Sequence, residues 1–178
     1  SAASDVYKRQ MITFATDRFL DVEILSDSES GLKVPLSAIT TQEFFLIPKD
    51  YITKGGSNGA TGVLRETAGE NGSLTTEFVA TQIYQENDEN YYLDDSSLRV
   101  GDHLIKPEST ESYTVSQTAS LTGVFNINKG YADFKEIQIL KQNDEYALIK
   151  SNTTYGLSAY DYIVLDASSV DVDQLINE

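Results

Sequence analysis

The chain has 178 residues, enough for one domain or two small ones, and 40% of them are hydrophobic, so it can bury a core. A formal net charge of -15 works against binding nucleic acid or an anionic lipid surface, because both need Lys and Arg to replace counterions. There is no cysteine, which excludes disulfides and thiolate chemistry, and no apolar run reaches the roughly 18 residues of a membrane helix.

In chain order, residues 1–10 are set aside. Asp5-Val6-Tyr7-Lys8-Arg9-Gln10 resembles the in-frame translation of a transposon adapter used in preparing sequencing libraries. The tail is therefore expected to be non-native, with Met11 not necessarily a start and any signal or membrane anchor lying further upstream in the gene. Leu20, Val22 and Ile24 alternate with Asp21 and Glu23, the pattern of a half-buried strand. Ser26 to Gly31 is a turn by composition, and Leu32-Lys33-Val34-Pro35 returns as a strand that Pro35 confines to an edge or ends. Ser37 to Thr41 has the character of a short helical turn. Phe44 to Ile47 is an apolar strand stopped by Pro48, and Lys54 to Gly59 is a loop.

Gly62 to Arg65 and Thr75 to Tyr84 are expected to flank a hairpin loop at Ala68–Ser73, where Asn71-Gly72 favours a positive φ. In the second of these strands Phe78, Ala80 and Ile83 are expected to face inward. Tyr91 to Leu93 follows as a short strand, and Leu98 to Ile105 closes the first module. The last third, Ser112 to Ser169, is a compact series: Tyr113 to Val115, Leu121 to Phe125, Phe134 to Leu140, Tyr146 to Ile149 and Tyr162 to Leu165, with a tight turn at Gln142-Asn143-Asp144. Leu20 to Ile24 and Phe134 to Leu140 are the alternations expected to build two cores. Val170 to Asn177 forms a final helical turn or a tail.

This last third echoes the middle of the chain. Thr61-Gly62-Val63 recurs as Thr122-Gly123-Val124, and Leu98 with Asp102 recurs as Leu157 with Asp161, each followed by an aliphatic pair. Upstream, Val34 with Ser37-Ala38 matches Val115 with Thr118-Ala119. Short strands with turn signals, written twice, predict an all-β fold: two tandem, related small β-barrel or sandwich modules of antiparallel strands with little helix. The expected boundaries are 11–107 for a first module with longer loops and 108–178 for the second module and tail.

Few residues offer chemistry. Gly55-Gly56-Ser57-Asn58-Gly59 fits G-x-S-x-G, but a nucleophile elbow needs a strand before the serine and a helix after it, and neither flank fits. His103, the single histidine, is the only base available to Ser57, and its strand-like setting favours a structural role. Asp27-Ser28-Glu29, Glu86-Asn87-Asp88-Glu89 and Asp171-Val172-Asp173 lack the alternating ligands of a calcium loop and are expected to be solvated turns. Asn71-Gly72-Ser73 and Asn152-Thr153-Thr154 match the glycosylation sequon, which is incidental in a bacterial protein. No catalytic, cofactor or metal-binding residue is therefore assigned. Tyrosine is frequent, with 11 residues, and Tyr155 and Tyr160 are the candidates for a face that meets another protein.

Gly31-Leu32-Lys33-Val34-Pro35-Leu36-Ser37-Ala38-Ile39, then Thr61-Gly62-Val63, then Ser97-Leu98-Arg99-Val100-Gly101-Asp102, resemble the closing barrel segment of HlyD-type periplasmic adaptor, or membrane fusion, proteins. Phe44 to Pro48, Tyr51 to Gly56, Asn126 to Tyr131 and Tyr155-Gly156-Leu157 are similar in wording to a branch of that family from Gram-positive anaerobes. The resemblance covers nearly all of 11–178. It implies a non-catalytic, extracytoplasmic, cell-envelope-associated scaffold that holds protein neighbours, an export machine or adjacent adaptor subunits, through an anchor encoded upstream and without inserting into the membrane itself. No cofactor is implied. The family's membrane anchor, lipoyl-like half-motif and coiled-coil hairpin are missing from this stretch. A surface module binding carbohydrate or protein, a structural envelope role and, more distantly, a serine hydrolase are the competing expectations.

Overall fold

The computed structural model describes residues 19–21, 23–24, 31–159 and 161–170. Its elements are short antiparallel strands: β1 (Phe19–Asp21), β2 (Glu23–Ile24), β3 (Gly31–Pro35), β4 (Thr40–Pro48), β5 (Ile52–Gly55), β6 (Ala60–Ala68), β7 (Leu74–Ala80) and β8 (Ile83–Glu86), followed by β9 (Asn90–Leu93), β10 (His103–Ile105), β11 (Ser112–Thr114), β12 (Thr118–Asn128), β13 (Tyr131–Glu136), β14 (Ile139–Gln142), β15 (Tyr146–Lys150) and β16 (Tyr162–Val164). Helical backbone among the described residues is limited to single 3-10 turns at Leu36–Ala38, Lys49–Tyr51 and Ala167–Ser169. The fold is all-β, as the alternation and turn chemistry predict.

The chain separates into two compact units, but not in tandem. One is Glu43–Ser120, and the other joins the residues up to Gln42 to those from Leu121 onward. The expected boundary at 107/108 falls inside the first of these. Backbone pairing explains why: β11, beyond that boundary, pairs with β10 at Leu104↔Tyr113, and Val115 exchanges backbone hydrogen bonds with Gly101 and Asp102. In the other unit, β3 pairs with β15 at Leu32↔Ile149 and β1 pairs with β16 at Leu20↔Ile163, so its early and late segments belong together.

Within Glu43–Ser120 the order of events is strand, proline, 3-10 turn, strand. β4 ends at Pro48, whose fixed φ starts the turn Lys49–Tyr51, and Ile52 returns the chain to extended backbone in β5. β5 and β6 form a hairpin, and β6 pairs on its other edge with β7. Beyond Val63, the β5 edge of β6 passes to β10 at Leu64↔Ile105. Next comes the hairpin β8–β9, bulged between Ile83 and Gln85, and its tip is closed by Asn87, whose Oδ1 accepts the N–H groups of Glu89 and Asn90. A tight turn at Leu98–Asp102 then leads into β10, and Asp102 Oδ2 accepts Arg99 N–H at 2.9 Å.

The other unit repeats this grammar. β3 ends at Pro35, Leu36–Ala38 is the 3-10 turn, and Ile39 returns to extended backbone. β12 and β13 form the hairpin, and β14–β15 is bulged between Ile139 and Lys141. Asn143 Oδ1 accepts Glu145 N–H and Tyr146 N–H at its tip. Leu157–Asp161 is the turn, with Asp161 Oδ2 accepting Ser158 N–H at 2.8 Å. Even the anchor of the 3-10 turn recurs: Lys49 N–H donates to Glu89 O and Leu36 N–H to Glu145 O, both at 3.0 Å. The two Thr-Gly-Val segments occupy the same place, on β6 and β12, and so do the two Leu–Asp turns. The upstream match does not hold: the counterpart of Val34 is Ile47, and Val115 answers to the Leu98–Asp102 turn.

The cores match position for position. One contains Phe45, Ile47, Tyr51, Val63, Leu93, Leu98 and Leu104; the other has Leu32, Val34, Ala38, Val124, Ile149, Leu157 and Ile163 at the corresponding places. Each Val, Leu, Ile or Phe among them contributes about 1.5–3 kcal/mol on burial. The units are thus nested: where β5 turns into β6, the other unit leaves after Ile39, runs through residues 43–120 and re-enters at β12.

Two expectations about the core need correction. Phe134 to Leu140 is not one strand. The chain turns at Ile137-Gln138 between β13 and β14, Ile137 is buried, and Ile139 and Leu140 are 40% and 46% exposed. The run changes sheets, so a single alternation cannot hold across it. Ile83 packs against the core as expected, but Phe78 lies over Gly62 and Ala80 is exposed, while Val79 between them packs on the core. Val22 and the tail beyond Val170 lie outside the described residues.

Val124→Asp buries an unpaired charge and should remove several kcal/mol of stability. Ile139→Asp should stay within about 0.5 kcal/mol, as exposed substitutions do. Denaturant melts of both variants check this, and a destabilised Ile139→Asp would overturn the exposed placement of β14.

Candidate functional site

The candidate nucleophile and base are far apart. Ser57 is exposed in the turn before β6, which begins at Ala60. His103 opens β10, and the next residue, Leu104, pairs with Arg65 near the other end of β6. At roughly 3.3 Å per strand residue, the run from Ala60 to Arg65 alone separates them by on the order of 15 Å. His103 Nδ1 instead lies 3.1 Å from Thr114 Oγ1 across the β10–β11 pair. This arrangement cannot pass a proton from Ser57 to His103.

The acidic stretch Glu86–Glu89 is spent on structure: Asn87 caps its own turn, and Glu86 meets Lys49 Nζ at 3.1 Å. Asp27 to Glu29 and Asp171 to Asp173 lie outside the described residues. Among those described, no group of three His, Asp or Glu is placed to hold a metal ion. The sequon residues Asn71 and Asn152 are both exposed, and Asn152 adopts a φ of 56° in the loop before β16. Tyr155 is half-buried in that same loop, where Asn152 N–H donates to Leu157 O and Gly156 N–H to Thr153 O. Tyr160 lies outside the described residues, so the expected Tyr155–Tyr160 face is represented by Tyr155 alone.

The strongest polar cluster surrounds Arg65. Its Nε donates to Glu77 Oε1 at 2.9 Å and its Nη2 to the same oxygen; Nη1 reaches Ser97 O at 3.0 Å and Asp102 Oδ2 at 3.4 Å. The guanidinium is held above its ordinary pKa chiefly by the Glu77 hydrogen bond, with Asp102 adding to it, so it is a fixed cation. The cluster ties the β6–β7 hairpin to the Leu98–Asp102 turn, which is a structural task. A second cluster is buried: Asp94 Oδ2 accepts Tyr84 O–H at 2.9 Å and Oδ1 accepts Ser96 O–H at 2.8 Å. Hydroxyl donors satisfy this carboxylate without a cation.

Among the described residues, large apolar side chains are also accessible. Leu74, Val100 and Tyr131 are exposed at hairpin and turn ends, while Ile139, Leu140 and Tyr146 are exposed together on the β14–β15 hairpin. Sequence reasoning misses this last group because Phe134 to Leu140 reads as one core-building alternation. The available signal was the alternation of Tyr146, Leu148 and Lys150 with Ala147 and Ile149, the latter two being the buried set. No helix among the described residues is long and apolar enough to cross a membrane. Compared with known proteins, the chain matches no family model, no curated protein and no solved structure.

Asp102→Ala loses both the Arg99 amide bond and the Arg65 contact and should cost about 1.5–3 kcal/mol. Asp161→Ala loses only its turn bond and should cost about 0.5–1.5 kcal/mol. Paired thermal melts test the order, and equal losses would refute the added role of Arg65. In an ester-hydrolysis assay the chain and its Ser57→Ala variant should be indistinguishable from buffer; a rate abolished by Ser57→Ala would restore the hydrolase reading.

Proposed function

We propose that this chain is the closing β-scaffold of a HlyD-like adaptor, working without chemistry of its own by holding protein neighbours at the cell envelope. One observation carries the reading. The segments that resemble the family, Gly31 to Ile39 in one unit and Ser97 to Asp102 in the other, form the proline-led 3-10 turn and the aspartate-closed turn, joints that recur in both units. That these segments coincide with recurrent joints rather than with incidental loops supports the reading. The separation of Ser57 from His103 supports the scaffold over the hydrolase.

On this reading the partners are proteins: the membrane component of an export machine, or adjacent adaptor subunits. Its acidity, at -15, keeps it away from anionic lipid and nucleic acid. On this reading the family's membrane anchor would be encoded upstream. Genomic sequence upstream of codon 11 should therefore encode a membrane-spanning segment followed by heptad-patterned helix. An upstream reading frame encoding a cytosolic catalytic domain would refute the adaptor function.

A further inference from the structure

The nested duplication allows one face of the molecule to be compared with its own copy. β3, β15 and β14 take the register of β4, β9 and β8: Leu32↔Ile149 answers to Phe45↔Leu93, and Pro35↔Tyr146 answers to Pro48↔Asn90. Both outer hairpins are bulged at the same step. The trio Phe44, Tyr84 and Asp94 of one unit therefore stands where Gly31, Leu140 and Lys150 stand in the other.

In the first unit this trio is complete. The Phe44 ring lies on Tyr84 with centroids 4.9 Å apart, and the Tyr84 hydroxyl donates to Asp94. Tyr84 is 9% exposed. In the second unit Gly31 supplies no ring, and Leu140 is 46% exposed. Leu148 leans over Gly31, so that a Cβ there would meet its Cδ1 at 2.7 Å, and the position admits no side chain of its own. The carboxylate of the copy is replaced by an exposed ammonium, Lys150, directly opposite Gly31 in register. A second ammonium, Lys33 Nζ, sits 4.0 Å from the centre of the Tyr146 ring on the same face. Glu23 is opposite Lys33 in register, and Asp144 and Glu145 lie at the hairpin tip.

We propose that this face takes, from a partner protein, an aromatic side chain adjacent to a carboxylate: the ring covers Leu140 as Phe44 covers Tyr84, and the carboxylate pairs with Lys150. Charge complementarity selects the acid, because Lys150 stands in the place of Asp94, and Lys33 lies on the same face. The copy selects the ring. Apolar anchors flanked by charge are the usual composition of such contacts. The proposal deepens the scaffold reading and rests on it.

The test is an amide-shift titration of the full isotope-labelled chain with a capped peptide, acetyl-Gly-Asp-Phe-Glu-Gly-amide. Saturable shifts are expected at Leu140, Leu148 and Lys150 and not on β8 or β9. Lys150→Glu should weaken binding about tenfold, and Leu140→Asp should abolish it; both residues are exposed, and the spectrum itself reports that the fold is kept. No shifts, equal shifts from a peptide with Lys for its acids or Ala for its Phe, or undiminished binding by both variants would each overturn the proposal. So would self-association lost in Leu140→Asp without peptide binding, since the occupant would then be a second copy. Absent shifts leave the adaptor reading standing, and an upstream gene without a membrane segment leaves a positive titration standing.

Discussion

The structure depends on two close approaches of backbone to an aromatic ring. In β6, a Cβ on Gly62 would meet Val79 O at 2.2 Å and Phe78 Cζ at 2.6 Å; in β12, a Cβ on Gly123 would meet Lys135 O at 2.2 Å and Phe134 Cζ at 2.6 Å. In each case the ring comes from the residue paired two places beyond the glycine, Leu64↔Phe78 and Phe125↔Phe134. Glycine in a strand ordinarily weakens it, and an overlying aromatic offsets that weakness. The residue after each glycine, Val63 or Val124, is fully buried in its core. The glycine thus lets the hairpin close tightly while the next residue seals the interior.

Nesting one unit inside its copy imposes a geometric condition: the ends of the inserted piece must lie side by side. They do, since Leu46 N–H donates to Gln117 O at 2.9 Å across the entry and exit of Glu43–Ser120. A piece with adjacent ends can interrupt a turn without stretching its host. The host interrupts itself where a turn joins two strands, which is where insertion costs least.

Inside, the two units differ by fit rather than by plan. Tyr51 fills the place of Ala38, its ring tilted against that of Tyr113 with centroids 5.8 Å apart, so unit Glu43–Ser120 uses aromatic bulk where the other uses aliphatic packing. Outside, the same positions carry different chemistry. Ser37 Oγ donates to Leu165 O at 2.7 Å where Asp50 meets Lys106 at 3.5 Å. The frame is held constant while its outer groups are exchanged, so any difference in function between the units lies in those groups.

The all-β class, most strand positions and the duplicated Thr-Gly-Val and Leu–Asp pairs were legible in the sequence, because period-2 alternation, Pro and Asn-rich turns act locally. Pro35 with Pro48, and Asn143-Asp144-Glu145 with Asn87-Asp88-Glu89, carry the rest of the duplication. Nesting was not legible, since it rests on pairings between residues far apart, such as Leu32 with Ile149, that no local pattern encodes. The same holds for the distance between Ser57 and His103 and for the exposure of Ile139 and Leu140. The chain alone determined what each short segment would be; only the tertiary structure decided which segments met, because hydrogen bonding between strands is indifferent to their separation along the chain.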